Sequence, residues 1–301
     1  MSDWLVAISG TEAGARLALL LALFSAVSHA LFGALQKGRV DPWTSRAVID
    51  AGLVVISAPV ALFLVPWPEG WQWAIMAGVV AVHFLYKAAI GMAYQHAAYT
   101  VVYPVMRGTG PLITVLAASV VFGESYSAMQ WVGVACLSGG ILLLALRNLS
   151  EETISRAALK RGLGWAVMGG VMVATYTTYD AWGIRQMADP FTFLAWFFFL
   201  SALDFPLIAL ARRRRWQAQV TDWRPLVRLG LLGAVVAWAS FGGVMLATRL
   251  DSVGEAAVLR ETSVVFAALI GWLLLGERTG PRRVALMALI ALGAVIVELG
   301  G

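Results

Sequence analysis

The sequence predicts an all-α polytopic membrane protein: ten transmembrane helices built as two inverted five-helix repeats, residues 1–149 and 150–301. Three observations carry this expectation: the composition, the spacing of the apolar stretches, and the recurrence of the same residues in both halves. Hydrophobic residues make up 60% of the 301 and charged residues only 13%, with a mean hydropathy of +0.80. A water-soluble globule keeps about a quarter of its residues charged, so water is not the main solvent of this chain. Disorder, a disulfide scaffold and a secreted enzyme are excluded on the same ground. The single cysteine, Cys136, sits among Val134, Ala135 and Leu137 and reads as a small buried hydrophobe. It permits neither an internal bridge nor a multi-cysteine metal site. Asp3 and Glu12 precede Arg16, so no basic region opens the first apolar stretch and a cleaved signal peptide is not expected.

A helix crossing roughly 30 Å of hydrocarbon needs about 20 apolar residues. Such stretches fall at 14–36, 44–65, 71–95, 99–122, 126–147, 162–184, 190–211, 226–247, 252–275 and 281–298, each closed by charge or by Pro, Gly and Trp. The longest connections, 148–161 and 212–225, are too short for a soluble domain. Lys and Arg beside short loops stay on the cytoplasmic side. The loops after the first, fifth, seventh and ninth spans hold 16 basic residues, among them Lys37, Arg39, Arg147, Arg212 to Arg215 and Arg278; the opposite side holds only Arg16, Arg185 and Arg249. Both termini are therefore expected outside the cytoplasm. The run Arg212–Arg215 reads as a headgroup anchor, not a nucleic-acid patch. Trp43, Trp67, Trp71, Trp216 and Trp223 at span ends read as interfacial anchors.

The two halves repeat one another. Laid over Ser252–Glu277 at a constant offset of 153, Tyr99–Glu124 matches at six positions: Val105/Val258, Arg107/Arg260, Thr109/Thr262, Leu116/Leu269, Gly123/Gly276 and Glu124/Glu277. Leu and Val matches are common in membrane helices; an intramembrane Arg and a Gly-Glu terminus are not. Five spans per half is odd, so the second half is inverted relative to the first, a construction of secondary transporters with the site near the midplane.

Phe122-Gly123-Glu124 and Leu275-Gly276-Glu277, closing corresponding blocks in a ten-span chain, resemble the drug/metabolite transporter superfamily and, within it, the EamA-type ten-helix transporters. The resemblance implies a central cavity lined by the first, third, fourth, sixth, eighth and ninth helices, and export of a small metabolite or amino acid, with uptake in some branches. Glu124 and Glu277 match the helix-end acids of that family, with a structural role. The polar, proline-broken Arg107-Gly108-Thr109-Gly110-Pro111 departs from its pattern.

Charges inside the bilayer are expensive and mark function by default. Arg107 and Arg260 each lie about 12 Å into their helices, entering from opposite faces. Two guanidiniums near one centre suit a carboxylate or phosphate. Arg260 either joins that site or is neutralised by Glu255 or Glu261, and those two acids are also the candidates for carrying a coupling proton. His83 and Lys87 share one face of the third span, four residues apart, and Lys87 reads as cavity-facing, the alternative being an ion pair. Tyr103 on the fourth span and the stripe Tyr176, Tyr179 and Asp180 on the sixth complete the candidate binding residues. His29, beside Ser25 and Ser28, is either a site residue or a helix-to-helix hydrogen bond. Asp50 is expected to pair with Arg46, and Asp204 to serve either the Pro206 kink or the substrate.

An intramembrane aspartyl protease is the rival class, from Asp180 and Asp204. The second acid sits in Ala202-Leu203-Asp204-Phe205-Pro206, without flanking glycine, and the chain holds no His-Glu-x-x-His helix, Gly-x-Ser-x-Gly elbow or phosphate loop. The expectation is therefore not an enzyme but a secondary transporter of the bacterial inner membrane. It moves a small metabolite with an anionic or zwitterionic end, such as an amino acid, by alternating access. The alternative cargo is a cationic or lipophilic compound. The expected partners are the substrate, the lipid bilayer, a proton or substrate counterflow and a second copy of the chain as a homodimer. No cofactor, metal or nucleic acid is expected.

Overall fold

A computed structural model of the chain describes residues 2–35, 42–96, 99–149, 156–211, 223–275 and 280–301. Lys37, Arg39, Arg212 to Arg215, Trp216, Gly276, Glu277 and Arg278 lie outside the described residues. The described residues are helical with no strand. In chain order the helices are α1 (Asp3–Ala7), α2 (Glu12–Leu35), α3 (Pro42–Pro59), α4 (Gln72–His96), α5 (Tyr99–Phe122), α6 (Ala128–Leu149) and α7 (Arg156–Arg185). They continue as α8 (Pro190–Ser201), α9 (Asp204–Ala211), α10 (Arg224–Ala237), α11 (Gly243–Leu250), α12 (Val253–Glu261), α13 (Ser263–Leu275) and α14 (Pro281–Leu299). Wider π-type turns, Val60–Leu64 and Trp238–Gly242, extend α3 and join α10 to α11.

Among the described residues, eight stretches are long and apolar enough to cross a membrane, and they coincide with eight of the ten expected spans. Four of them are broken or widened units: Thr44–Leu64 runs through α3 into the π-type turn Val60–Leu64, Pro190–Ala211 comprises α8 and α9, Arg224–Leu250 comprises α10 and α11, and Val253–Leu273 runs through α12 into α13. Val284–Leu299 is a shorter apolar helix, and α7 is 30 residues long but more polar. The chain is an all-α multi-pass membrane protein. Its outward faces are apolar, with Val120 86% and Phe63 81% exposed, as lipid contact requires.

Lipid tails are as apolar as leucine, so helices associate through close packing and small residues. On α2 the buried stripe is Gly14, Ala18, Ala22, Ser25, Ala26 and Ala30. Gly133 of α6 and Gly293 of α14 face each other so closely that a Cβ on either would stand 2.7 Å from the other's carbonyl oxygen. A Cβ at Gly170 of α7 would stand 2.0 Å from Thr109 Oγ1 of α5. The helix contacts come in matched pairs. α5 packs on α7 as α13 packs on α2, α4 on α7 as α11 on α2, and α10 on α3 as α8 on α4, while α6 packs directly on α14.

Local chemistry sets the breaks. Asp189 caps α8 by accepting from Phe191 N at 2.9 Å, with Pro190 as its first residue, where proline's missing N–H costs nothing. Pro206 cannot continue an i−4 ladder, and α9 accordingly starts afresh at Asp204, whose Oδ1 accepts from Phe205 N at 2.7 Å. Gly123 ends α5 in the left-handed region, φ +70°, which only glycine adopts without steric cost. Glu124, turned out by that residue, accepts from Val253 N at 2.8 Å, Gly254 N at 3.2 Å and Ser252 Oγ at 2.9 Å. The Gly-Glu terminus of one helix thus caps the N-terminus of α12. Tyr126 also donates to Glu124, and burial, reinforced by that hydrogen bond, pushes its hydroxyl pKa up.

Candidate functional site

Five helices, α4, α5, α7, α12 and α13, bring buried polar groups together in the middle of the bundle. α12 stops at Glu261 and α13 starts at Ser263, and the break at Thr262, whose Oγ1 donates to Leu259 O at 2.6 Å, turns both neighbours toward α5. Arg107 Nη1 meets Glu261 Oε1 at 2.9 Å and Nη2 donates to Ser263 Oγ at 3.3 Å. Its guanidinium stands 5.6 Å from the centre of the Tyr103 ring, within the range of a cation–π contact. Arg107 is thus neutralised by Glu261, one of the two acids expected to neutralise Arg260.

Arg260 has no salt bridge among the described residues. It is 3% exposed, lies 4.5 Å over the Phe241 ring, and makes one long hydrogen bond, Nη1 to Tyr176 OH at 3.4 Å. Its Nε and Nη2 have no hydrogen-bond partner among the described residues. Two cavities of about 10 Å³ each, the scale of one water molecule, adjoin this guanidinium. Glu261, Thr177 and Thr114 lie at one; Tyr176, Phe241 and Asp180 at the other. Where the family resemblance implies a central cavity, the described residues enclose two water-sized gaps beside Arg260.

Asp180 lies across the second cavity from Arg260. Its Oδ2 is 2.8 Å from His83 Nε2 of α4, and its Oδ1 has no partner among the described residues. His83 packs against Tyr176 at 4.9 Å and Phe197 at 4.8 Å between ring centres, and Tyr86 closes on Tyr176 at 4.8 Å. Arg260 and Asp180 face one space without forming an ion pair.

The other candidates fall elsewhere. Lys87 is held by Asp204 at 2.8 Å, Asp50 at 3.3 Å and the carbonyl of Ser201 at 2.7 Å, and Arg46 joins Asp50 at 2.9 Å. That network ties α3, α4 and the α8–α9 break together, so Lys87 forms the ion pair and does not face the central cavities. Tyr179 separates from Tyr176 and Asp180, donating to Ile75 O at 3.2 Å beside Trp182. His29 makes the helix-to-helix bond, Nδ1 to Ser240 Oγ at 3.1 Å. Glu255 accepts from Gln130 Nε2 at 2.6 Å near the end of α14, remote from Arg260. Sequence reasoning missed Phe241, Ser263 and Thr177. Phe241 is aimed by a π-type turn that no residue pattern announces; Thr177 had a signal, since it sits within the polar run 175–180.

The model of the EamA-like transporter family matches residues 160–299. A solved structure titled only as the crystal structure of a protein shares the fold at a TM-score of 0.68 and 18% identity, covering 95% of this chain and 98% of that one. No curated protein matches the sequence.

Proposed function

Starting from the match of the EamA-like transporter family model to residues 160–299, which points to a membrane transporter of the drug/metabolite type, we propose that the chain carries a small zwitterion of the amino-acid class. Transport runs by alternating access between inverted repeats 1–149 and 150–301, outward from a bacterial cytoplasm as the EamA-type resemblance implies. The paired helix contacts support the repeat, because exchanging each span for the one five later turns one contact into another.

The observation that carries the substrate class is the unpaired Arg260 guanidinium across a cavity from the open oxygen of Asp180. A buried guanidinium with idle N–H donors is costly, and a carboxylate ligand relieves that cost through two parallel hydrogen bonds. An ammonium group on the same ligand meets Asp180 Oδ1. Opening of the closed cavities admits the ligand; closure around it removes water and strengthens both contacts. Arg107, already bound to Glu261, holds the α12–α13 break in place and does not take the ligand.

The test is a thermal-shift panel of amino acids, organic anions and quaternary amines on the purified protein. The expected result is stabilisation by zwitterions. In Arg260→Gln, the loss of a charge-assisted hydrogen bond worth about 1.5–3 kcal/mol weakens binding roughly 10- to 100-fold. The aromatic walls, Tyr86, Tyr176 and Phe241, together with Asp180, favour a cationic cargo as the second reading; stabilisation by quaternary amines alone would replace the first with it.

A further inference from the structure

We propose that the His83–Asp180 pair is the proton-binding site of transport, exchanging one proton for the ammonium group of one substrate. The proposal deepens the zwitterion reading and rests on it. One carboxylate here has two differently engaged oxygens: Oδ2 is bound to an imidazole on a neighbouring helix, and Oδ1 is buried without a hydrogen-bond partner among the described residues, in a side chain that lines the same cavity as Arg260. His83 Nε2 and Asp180 Oδ2, 2.8 Å apart, share one hydrogen bond. One proton taken from water at His83 Nδ1 or at Asp180 raises the charge of the pair by one. A substrate ammonium at Oδ1 brings the same unit charge to the same place. A buried pair in apolar surroundings holds one of these charges and not both, so loading of either releases the other, the proton returning to water.

Most titratable and charged groups around the pair are held by partners of their own, His29 of α2 by Ser240 Oγ among them. On α7 these are Tyr176 and Tyr179, the second bonded to Ile75 O, and Arg185, which donates to Thr248 O and Asp251 O. On α4, Tyr86 packs on Tyr176 and Lys87 is bound by Asp204 and Asp50. From α5, Arg107 is bound to Glu261 of α12 and lies over Tyr103. α8 presents Phe197, and Arg249 of α11 donates to Ser9 Oγ. Arg260 is the fixed positive charge that faces Asp180. Lys87, Arg107 and Glu261 each have an ionic partner locking their state. His83 and Asp180 have each other as hydrogen-bond partners and no locking ion pair besides.

The experiment uses the purified full chain and two readouts. Infrared difference spectra taken while pH is stepped should show a protonated-carboxyl or imidazolium signal that disappears in Asp180→Asn. His83→Gln, which keeps the carboxylate, should move the pH at which the signal changes without changing the melting temperature, and it carries the test if Asp180→Asn does not fold. L-Alanine added in weak buffer with a pH-indicator dye should release about one proton per alanine bound. Its affinity should fall about tenfold per pH unit once the site is protonated, as linkage requires. Alanine binding that is independent of pH and releases no proton overturns the proposal, as does a spectrum unchanged by both substitutions. If no zwitterion binds, the substrate reading fails by itself, and the ligand-free infrared titration still decides the proton site.

Discussion

Arg107 and Glu261 lie one helix apart in space and 154 residues apart in sequence, and each is buried almost completely. Removing one member of such a pair strands the other's charge, at a cost of about 3–5 kcal/mol, whereas replacing both with apolar residues of similar size is often neutral. Arg107→Met and Glu261→Met should each lower the melting temperature strongly, and the double substitution should recover most of the loss. A double-mutant cycle showing simple additivity would detach the pair from each other. Lys87→Met should likewise destabilise, since it leaves Asp50 and Asp204 without their shared cation; unchanged stability would show that the network is slack. Arg260→Gln belongs to the opposite class. With no carboxylate to strand, its stability should hold while ligand affinity falls.

At the scale of the element, much was legible in the sequence and some was not. Span positions follow from apolar length alone, and all eight strongly apolar helices fall where expected. The Arg46–Asp50 pair is also local, four residues along one helix. What hydropathy cannot show is where a span breaks. The breaks at 202–203 and at Thr262 depend on proline, on capping by Asp204 and on side-chain hydrogen bonds to carbonyls, which leave the apolar run uninterrupted. They decide which way Glu261 points, and so which arginine it neutralises. The same sequence spacing that placed Arg107 and Arg260 at similar depth said nothing of their partners, because ion pairing is a property of neighbours across helices. The Gly-Glu terminus was legible as a recurrence but not as a cap. Glu124→Ala should cost about 0.5–2 kcal/mol, the range for loss of an N-cap, read as a lower melting temperature, with Glu124→Gln milder. An unchanged melting temperature in Glu124→Ala would mean that Ser252, which accepts from Glu255 N, is cap enough.

At the scale of the whole molecule, the distribution of basic residues makes a prediction of its own. If 16 basic residues on one side against three on the other set the orientation, a reporter fused after Gly301 should register the non-cytoplasmic side. One placed between Arg215 and Thr221 should register the cytoplasm. A cytoplasmic C-terminus would invert the assignment of faces while leaving the buried site as it is.

The contact between α6 and α14 has a mechanical consequence. Gly133 and Gly293 meet backbone to backbone, and Gly140 comes against Ile290 on the same face. Interfaces padded with long side chains can accommodate sliding by changing rotamers. Two bare backbones pressed together have no such slack: they stay joined or they part. If the two proposed repeats rock against each other, α6 and α14 form a stiff post between them, and the motion that uncovers Arg260 turns around it.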